Sequence, residues 1–175
     1  MTNFEIAHRA PLMLHVPGMI DSYIESDKLV EFVDIFPSLV EAAGFAKMSK
    51  CPNYSRNISL CREGSSLLDL VSDPDGWKEA IFYQQMRDVF NNNIKDDYHG
   101  YTVMTEQYRY TEWVGLNNGG LEEQTPNWSD ARDFGELYDL VNDPLENINL
   151  IYNDDYQDII ADLRKLLHKG WRTHN

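Results

Sequence analysis

Basic residues are scarce in this sequence. Lys and Arg together number 15 in 175 residues, against 29 Asp and Glu, which leaves a formal charge of −14 and a pI near 4.6. That sign excludes nucleic acid as a natural partner, because duplex binding rests on a Lys/Arg footprint that neutralises phosphates. Long apolar runs are missing too, and none approaches the ~20 residues needed to span a bilayer. The opening Met1-Thr2-Asn3-Phe4-Glu5-Ile6-Ala7-His8 has neither the basic start nor the apolar stretch of a secretory leader. No Gly-x-Ser-x-Gly elbow, Walker loop, His-Glu-x-x-His or Cys-x-x-Cys pair occurs. What is present is 42% hydrophobic and 12% aromatic, too apolar for an acidic disordered tail and long enough for about one domain with a real core.

Two features point to an oxidising, secretory lumen. Asn53-Tyr54-Ser55, Asn57-Ile58-Ser59 and Asn127-Trp128-Ser129 are N-glycosylation sequons. Cys51 and Cys61 flank a short loop rich in Pro, Asn and Ser, where a disulfide would contribute roughly 3 kcal/mol in the chain-entropy description. The alternative is two buried thiols and chance sequons. A secreted protein without a leader is a contradiction that resolves if this is the later part of a longer chain.

Along the sequence, Pro11-Leu12-Met13-Leu14-His15-Val16-Pro17-Gly18 reads as a buried strand of the parallel-sheet kind, apolar without alternation and bounded by breakers. Residues 28–44 carry Leu29, Phe32, Val33, Phe36, Leu39, Val40 and Ala43 at helical spacing. Pro37 divides them into a turn that breaks at Phe36 and a new helix with Pro37 first, stopped by Gly44. Residues 46–66 read as loop, 67–71 as a helical turn, and Ser72-Asp73-Pro74-Asp75-Gly76 as turn chemistry. From residue 77 strands take over: 80–86, then a hairpin of 101–106 with 108–115, and a short strand at 135–140, with 91–97 and 116–134 as loops. Residues 154–169 form the cleanest helix, with Tyr156, Ile159, Ile160, Leu163, Leu166 and Leu167 on one face. Acids lead it, bases trail it, and Gly170 ends it. The lone buried-type strand with a helix looks like the edge of a larger α/β domain, and residues 77–175 like a subdomain able to bury its own face.

Three of these segments carry a family resemblance. Arg9-Ala10-Pro11-Leu12 with Val16-Pro17-Gly18, then Val33-Asp34-Ile35-Phe36-Pro37-Ser38-Leu39 with Ala43-Gly44, then Glu136-Leu137-Tyr138-Asp139-Leu140 with Asp143-Pro144, Glu146 and Asn149-Leu150, resemble in order and spacing the sulfatase family of the alkaline-phosphatase-like superfamily. Finer details resemble one glycosaminoglycan-degrading member: Asn3-Phe4, Cys51-Pro52 with Cys61-Arg62-Glu63-Gly64, Tyr108-Arg109-Tyr110-Thr111 with Trp113-Val114-Gly115, and Asn127 with Ser129-Asp130. The resemblance runs from residue 3 to about 153.

It implies a lysosomal or secretory enzyme that removes the 2-sulfate from iduronate at the ends of heparan and dermatan sulfate. The implied fold is α/β, an edge of a large domain over residues 1–76 with a stapled loop, followed over 77–175 by a small antiparallel sheet packed with a C-terminal helix. Family members use a formylglycine made in a Cys/Ser-x-Pro-x-Arg motif, beside a calcium ion. Here Cys51 is followed directly by Pro52, Cys61 by Arg62, and Ser72-Asp73-Pro74-Asp75 by Gly76 where Arg is required. No catalytic or metal residue therefore carries over. Formylglycine and calcium are implied only for the full-length parent, whose N-terminal part would be this stretch's partner and would supply contact with glycosaminoglycan. The alternative is a stand-alone, non-catalytic secreted glycoprotein module that binds a partner.

Remaining polar clusters read as structural. Asp96-Asp97-Tyr98-His99 looks like a solvated turn, Asp154, Asp155 and Asp158 like charge at a helix N-terminus, and His8 and His15 like packing residues. Arg109 is the exception to watch: alternation puts it on one hairpin face with Thr111 and Trp113, where a buried bridge to Glu136 would lock the sheet.

Overall fold

A computed structural model describes residues 2–20, 22–55, 57–87, 98–116, 126–131 and 134–173. The chain divides into two compact units: Met1–Arg9 with Phe82–Gly170, and Ala10–Ile81 with Trp171–Asn175.

The first unit begins with a single helical turn, α1 (Glu5–His8). Among the described residues its sheet has five strands: β1 (Ala80–Arg87), β2 (Tyr98–Thr105), β3 (Tyr108–Leu116), β4 (Pro126–Ala131) and β5 (Glu136–Asp139). The order is β1-β2-β3-β4, with β5 also on β3. β2 and β3 pair antiparallel from Tyr98↔Gly115 to Met104↔Arg109, so the hairpin forms where aromatic and β-branched residues alternate. The other edge of β3 is shared: β5 pairs Tyr108 through Thr111, and β4 pairs Val114 and Leu116 with a register shift between them. β4 lies where the sequence predicts loop. Its Pro126-Asn127-Trp128-Ser129-Asp130-Ala131 is turn-type in composition, and pairing with β3 overrides local propensity.

A two-residue period gives the sheet two faces. One carries Tyr101, Val103, Tyr110, Glu112 and Val114, on which α4 (Gln157–Lys169) lies with Ile160, Leu163 and Leu167 buried. Asn153 caps the 3-10 turn Asp154–Tyr156 that leads into α4, its side chain accepting from Asp155 N at 3.0 Å, and Gly170 at φ 80° ends the helix. The other face carries Gly100, Thr102, Arg109, Thr111 and Trp113. Segment 3–9 lies on it: a Cβ on Gly100 would sit 2.4 Å from Asn3 Nδ2, so the close approach requires glycine there.

The second unit holds α2 (Ile35–Ala42), reached through a 3-10 turn at Phe32–Asp34, and α3 (Leu67–Ser72). α2 starts before Phe36, two residues earlier than the sequence predicts. Pro37 is tolerated in its first turn because an N–H there has no intrahelical acceptor. The apolar face expected to be buried is open, with Phe32 of the 3-10 turn and Phe36 and Leu39 of α2 exposed, while Pro37 and Ser38 are buried instead. Leu67, Leu70 and Trp77 form the apolar centre, with Leu14 and Val30 against them.

Residues 11–18 do not form the expected strand. No ladder pairs them among the described residues, Met13 is 93% exposed, His15 is exposed rather than packed, and Val16 alone of the run is buried. Apolarity marks a strand only when neighbours supply hydrogen-bond partners, and here the chain turns instead, with the Val16 carbonyl accepting from Met19 and Ile20 at 3.1 Å. Ser72–Gly76 is a turn, with Asp73 Oδ1 accepting from Gly76 N at 3.1 Å.

Candidate functional site

The polar centre of the first unit is built on Arg109, which sits on β3 with no exposed surface. Its Nη1 donates to Thr111 Oγ1 at 2.9 Å, and Nη1 and Nη2 both donate to Glu136 Oε2 at 3.1 Å. Its Nε donates to Glu146. Tyr138 of β5 and Phe4 lie against the guanidinium, 4.6 and 5.3 Å from ring centre to Cζ. Thr111 is also bonded to Thr102 at 2.8 Å, and Trp113 Nε1 donates to Glu136 Oε1 at 3.0 Å. Glu146 Oε2 accepts from Glu5 N at 2.7 Å, which ties the first residues of the chain to the centre. Burial pulls the Arg109 guanidinium down, but the bond to Glu146 and the surrounding negative charge outweigh it, so its pKa rises and it stays charged.

Arg109 and Glu136 are thus brought together, and Glu146 joins them, which strand alternation did not indicate. The available signals were its place in the Asp143-Pro144-x-Glu146 signature and, in the structure, its positive φ of 53°, an uncommon conformation for a non-glycine residue. Chemically the centre is a lock: the carboxylates and the guanidinium fork bind each other.

On the opposite face a second acid is held. Glu112, 4% exposed, accepts from Tyr110 Oη at 2.6 Å, Arg164 Nε at 2.7 Å and His168 Nε2 at 2.9 Å. Trp128 stacks on His168, ring centres 4.2 Å apart. Burial pushes the Glu112 carboxyl up, but the bonds from Tyr110, His168 and Arg164 prevail and hold it below the usual carboxylate range. A depressed folded pKa stabilises the fold above the ordinary carboxylate value of about 4.3 and is lost as pH falls through the folded value. We expect the acid limb of a stability–pH profile to be shallower in Glu112→Gln than in wild type, by at most ~1.4 kcal/mol per pH unit. Superimposable acid limbs in urea melts would remove Glu112 from the acid response.

In the second unit Lys78 Nζ, 2% exposed, bridges Glu31 at 2.8 Å and both Asp34 oxygens at 2.8 and 2.7 Å. Asp34 also accepts from Ser65 N and Glu31 N, each at 2.8 Å. Cys51 and Cys61 are joined by a disulfide. Beyond it Glu63 accepts from Trp171 Nε1 at 3.1 Å and from Arg172 Nε at 2.9 Å, and the Arg172 bond lowers the Glu63 pKa. Asn53 and Asn57 are exposed in the loop, while Asn127 is half-buried on β4 with its Oδ1 accepting from Ser129 Oγ at 2.6 Å. His8 is exposed, its ring tilted against Tyr83 with centres 4.2 Å apart, and Asp96 and Asp97 lie outside the described residues.

Both cysteines are consumed by the disulfide, and no group of three or more His, Cys, Asp or Glu among the described residues is placed to hold a metal ion. No helix among them is long and apolar enough to cross a membrane.

No protein-family model matches the chain. It is 34% identical to iduronate 2-sulfatase of Mus musculus over 197 residues and 34% identical to that of Homo sapiens over 195, each match taking in 87% of this chain and 34% of the relative. An ulvan-active sulfatase of Formosa agariphila is 26% identical over 92% of the chain and 32% of its own length. A solved protein in complex with its substrate, D-glucosamine-2-N,6-O-disulfate, aligns with a TM-score of 0.50 at 18% identity, over 80% of this chain and 24% of that one, and speaks to the fold alone. The chain spans about a third of the length of the curated relatives it matches, and it belongs to the sulfatase family.

Proposed function

We propose that this chain is the C-terminal portion of a sulfuric ester hydrolase of the iduronate 2-sulfatase type, serving as scaffold while the reactive centre resides on other polypeptide. The carrying observation is 34% identity spread over 87% of the chain. The parent removes the 2-sulfate of iduronate from heparan and dermatan sulfate in a lysosomal or secretory lumen, with its formylglycine and calcium outside these residues. The Cys51–Cys61 disulfide suits that compartment. A stretch of charge −14 repels a polyanionic sugar, so substrate attraction belongs to the rest of the parent and this part shapes at most the rim of a pocket.

The test has two arms. The isolated 175 residues should leave a fluorogenic umbelliferyl iduronate sulfate intact, whereas the product of a continuous reading frame extending upstream and carrying Cys-x-Pro-x-Arg should desulfate it. Turnover by the isolated chain, or a full-length product unable to act on that ester, defeats the proposal.

A further inference from the structure

We propose that Asn57, inside the ring closed by Cys51 and Cys61, is an acceptor for an N-linked oligosaccharide. The inference rests on the luminal reading above and deepens it. In the transfer, Asn57 Nδ2 attacks the anomeric carbon of a lipid-pyrophosphate-linked oligosaccharide. The new C–N bond replaces the C–O bond to pyrophosphate, the lipid pyrophosphate leaves with that electron pair, and one Nδ2 proton passes to the transferase. Nothing is oxidised or reduced.

Asn57, Ile58 and Ser59 are all exposed, and Ile58 N donates to the Ser55 carbonyl at 2.9 Å, which sets Asn57 on a reverse turn. A sugar on Nδ2 therefore leaves the surface without displacing buried atoms. The neighbouring sequon is engaged instead. Arg172 Nη1 donates to the Asn53 carbonyl at 2.6 Å and Nη2 to Ser55 Oγ at 3.1 Å, so in the folded chain that sequon lies against a guanidinium. The same ring presents Tyr54 at 94%, Leu60 at 63% and Ile58 at 47% exposure, a concentration of bare apolar side chains that a hydrated oligosaccharide on Asn57 would screen.

The experiment delivers the 175-residue chain to the lumen of a eukaryotic secretory pathway with a fused, cleavable leader, so acceptor use is read independently of where the natural protein resides. Enzymatic glycan release in heavy-oxygen water converts an occupied Asn to labelled Asp, located by peptide mass spectrometry. We expect label on Asn57. Asn57→Gln and Ser59→Ala should each remove one glycan-sized mobility step, and Ser55→Ala, which destroys only the Asn53 sequon, should keep it. The label on the wild-type chain is the primary readout, so a variant that folds poorly leaves the answer intact. Recovery of the ring peptide with Asn57 unlabelled, or with label only on Asn53 or Asn127, overturns the inference. A natural parent found outside the secretory pathway would instead defeat the luminal reading and leave the acceptor result standing.

Discussion

Arg109→Met should lower the stability of the chain by about 3–5 kcal/mol, the range for removing one partner of a buried ion pair. An exposed cross-strand pair would cost under about 1 kcal/mol. The larger figure follows from the surroundings: the Arg109 side chain has no exposed surface and that of Glu146 only 4%, and the substitution leaves two carboxylates beside Phe4, Tyr138 and Trp113 with no cation. Glu136, a fifth exposed, recovers part of its hydration, so most of the penalty falls on Glu146. Lysine does not substitute, because all three guanidinium nitrogens are engaged, with Glu146, Thr111 and Glu136, and an ammonium is a single point of charge. Adding Glu136→Gln and Glu146→Gln to the methionine variant removes the stranded charges and should restore a large share of the loss. Urea melts settle the matter: a midpoint within ~0.5 kcal/mol of wild type for Arg109→Met, or no recovery in the triple variant, would show that the bridge is not what holds the sheet. High salt should change the wild-type midpoint little, because buried pairs are weakly screened.

Asp34→Ala should also be damaging in the second unit, at up to about 3–5 kcal/mol, because it leaves Lys78, in a site where that side chain is 2% exposed, with Glu31 but without Asp34. It also removes the acceptor from two backbone donors, Glu31 N and Ser65 N. Lys78→Met leaves Asp34 with those two N–H groups and should cost less, so the ranking of the two variants is itself a prediction. Amide exchange reads it locally. Ser65 N and Leu67 N, the latter bonded to Ser38 Oγ at 2.8 Å, should lose protection in Asp34→Ala while amides of β3 keep theirs. Unchanged protection at Ser65 would mean the carboxylate is not the joint between residues 31–34 and 64–67.

Legibility of the chain followed the range of its interactions. The β2–β3 hairpin and α4 were readable because alternation at Tyr108-Arg109-Tyr110-Thr111 and helical spacing at Ile159, Ile160, Leu163 and Leu167 are local records of which face is buried. Residues 11–18 misled for the converse reason, since an apolar run records a need for cover without saying where the partners are. β4 escaped because Trp128 is its sole strong strand former. In the polar centre, Arg109 and Glu136 share an expected face of adjacent strands, but Glu146 lies 37 residues from Arg109 on a segment with no period to read. Lys78 and Asp34, separated by 44, were invisible in the same way. Similarity to iduronate 2-sulfatase supplied the family; it did not supply these pairings.

Each unit takes residues from two separate stretches, the first claiming Met1–Arg9 and the second Trp171–Asn175. The two tails are thus exchanged relative to the bodies that follow and precede them, and neither unit can be excised as one continuous piece. Clipping after Gly170 would strip Glu63 and the cystine ring of their Trp171–Arg172 clasp, an injury felt more than a hundred positions upstream.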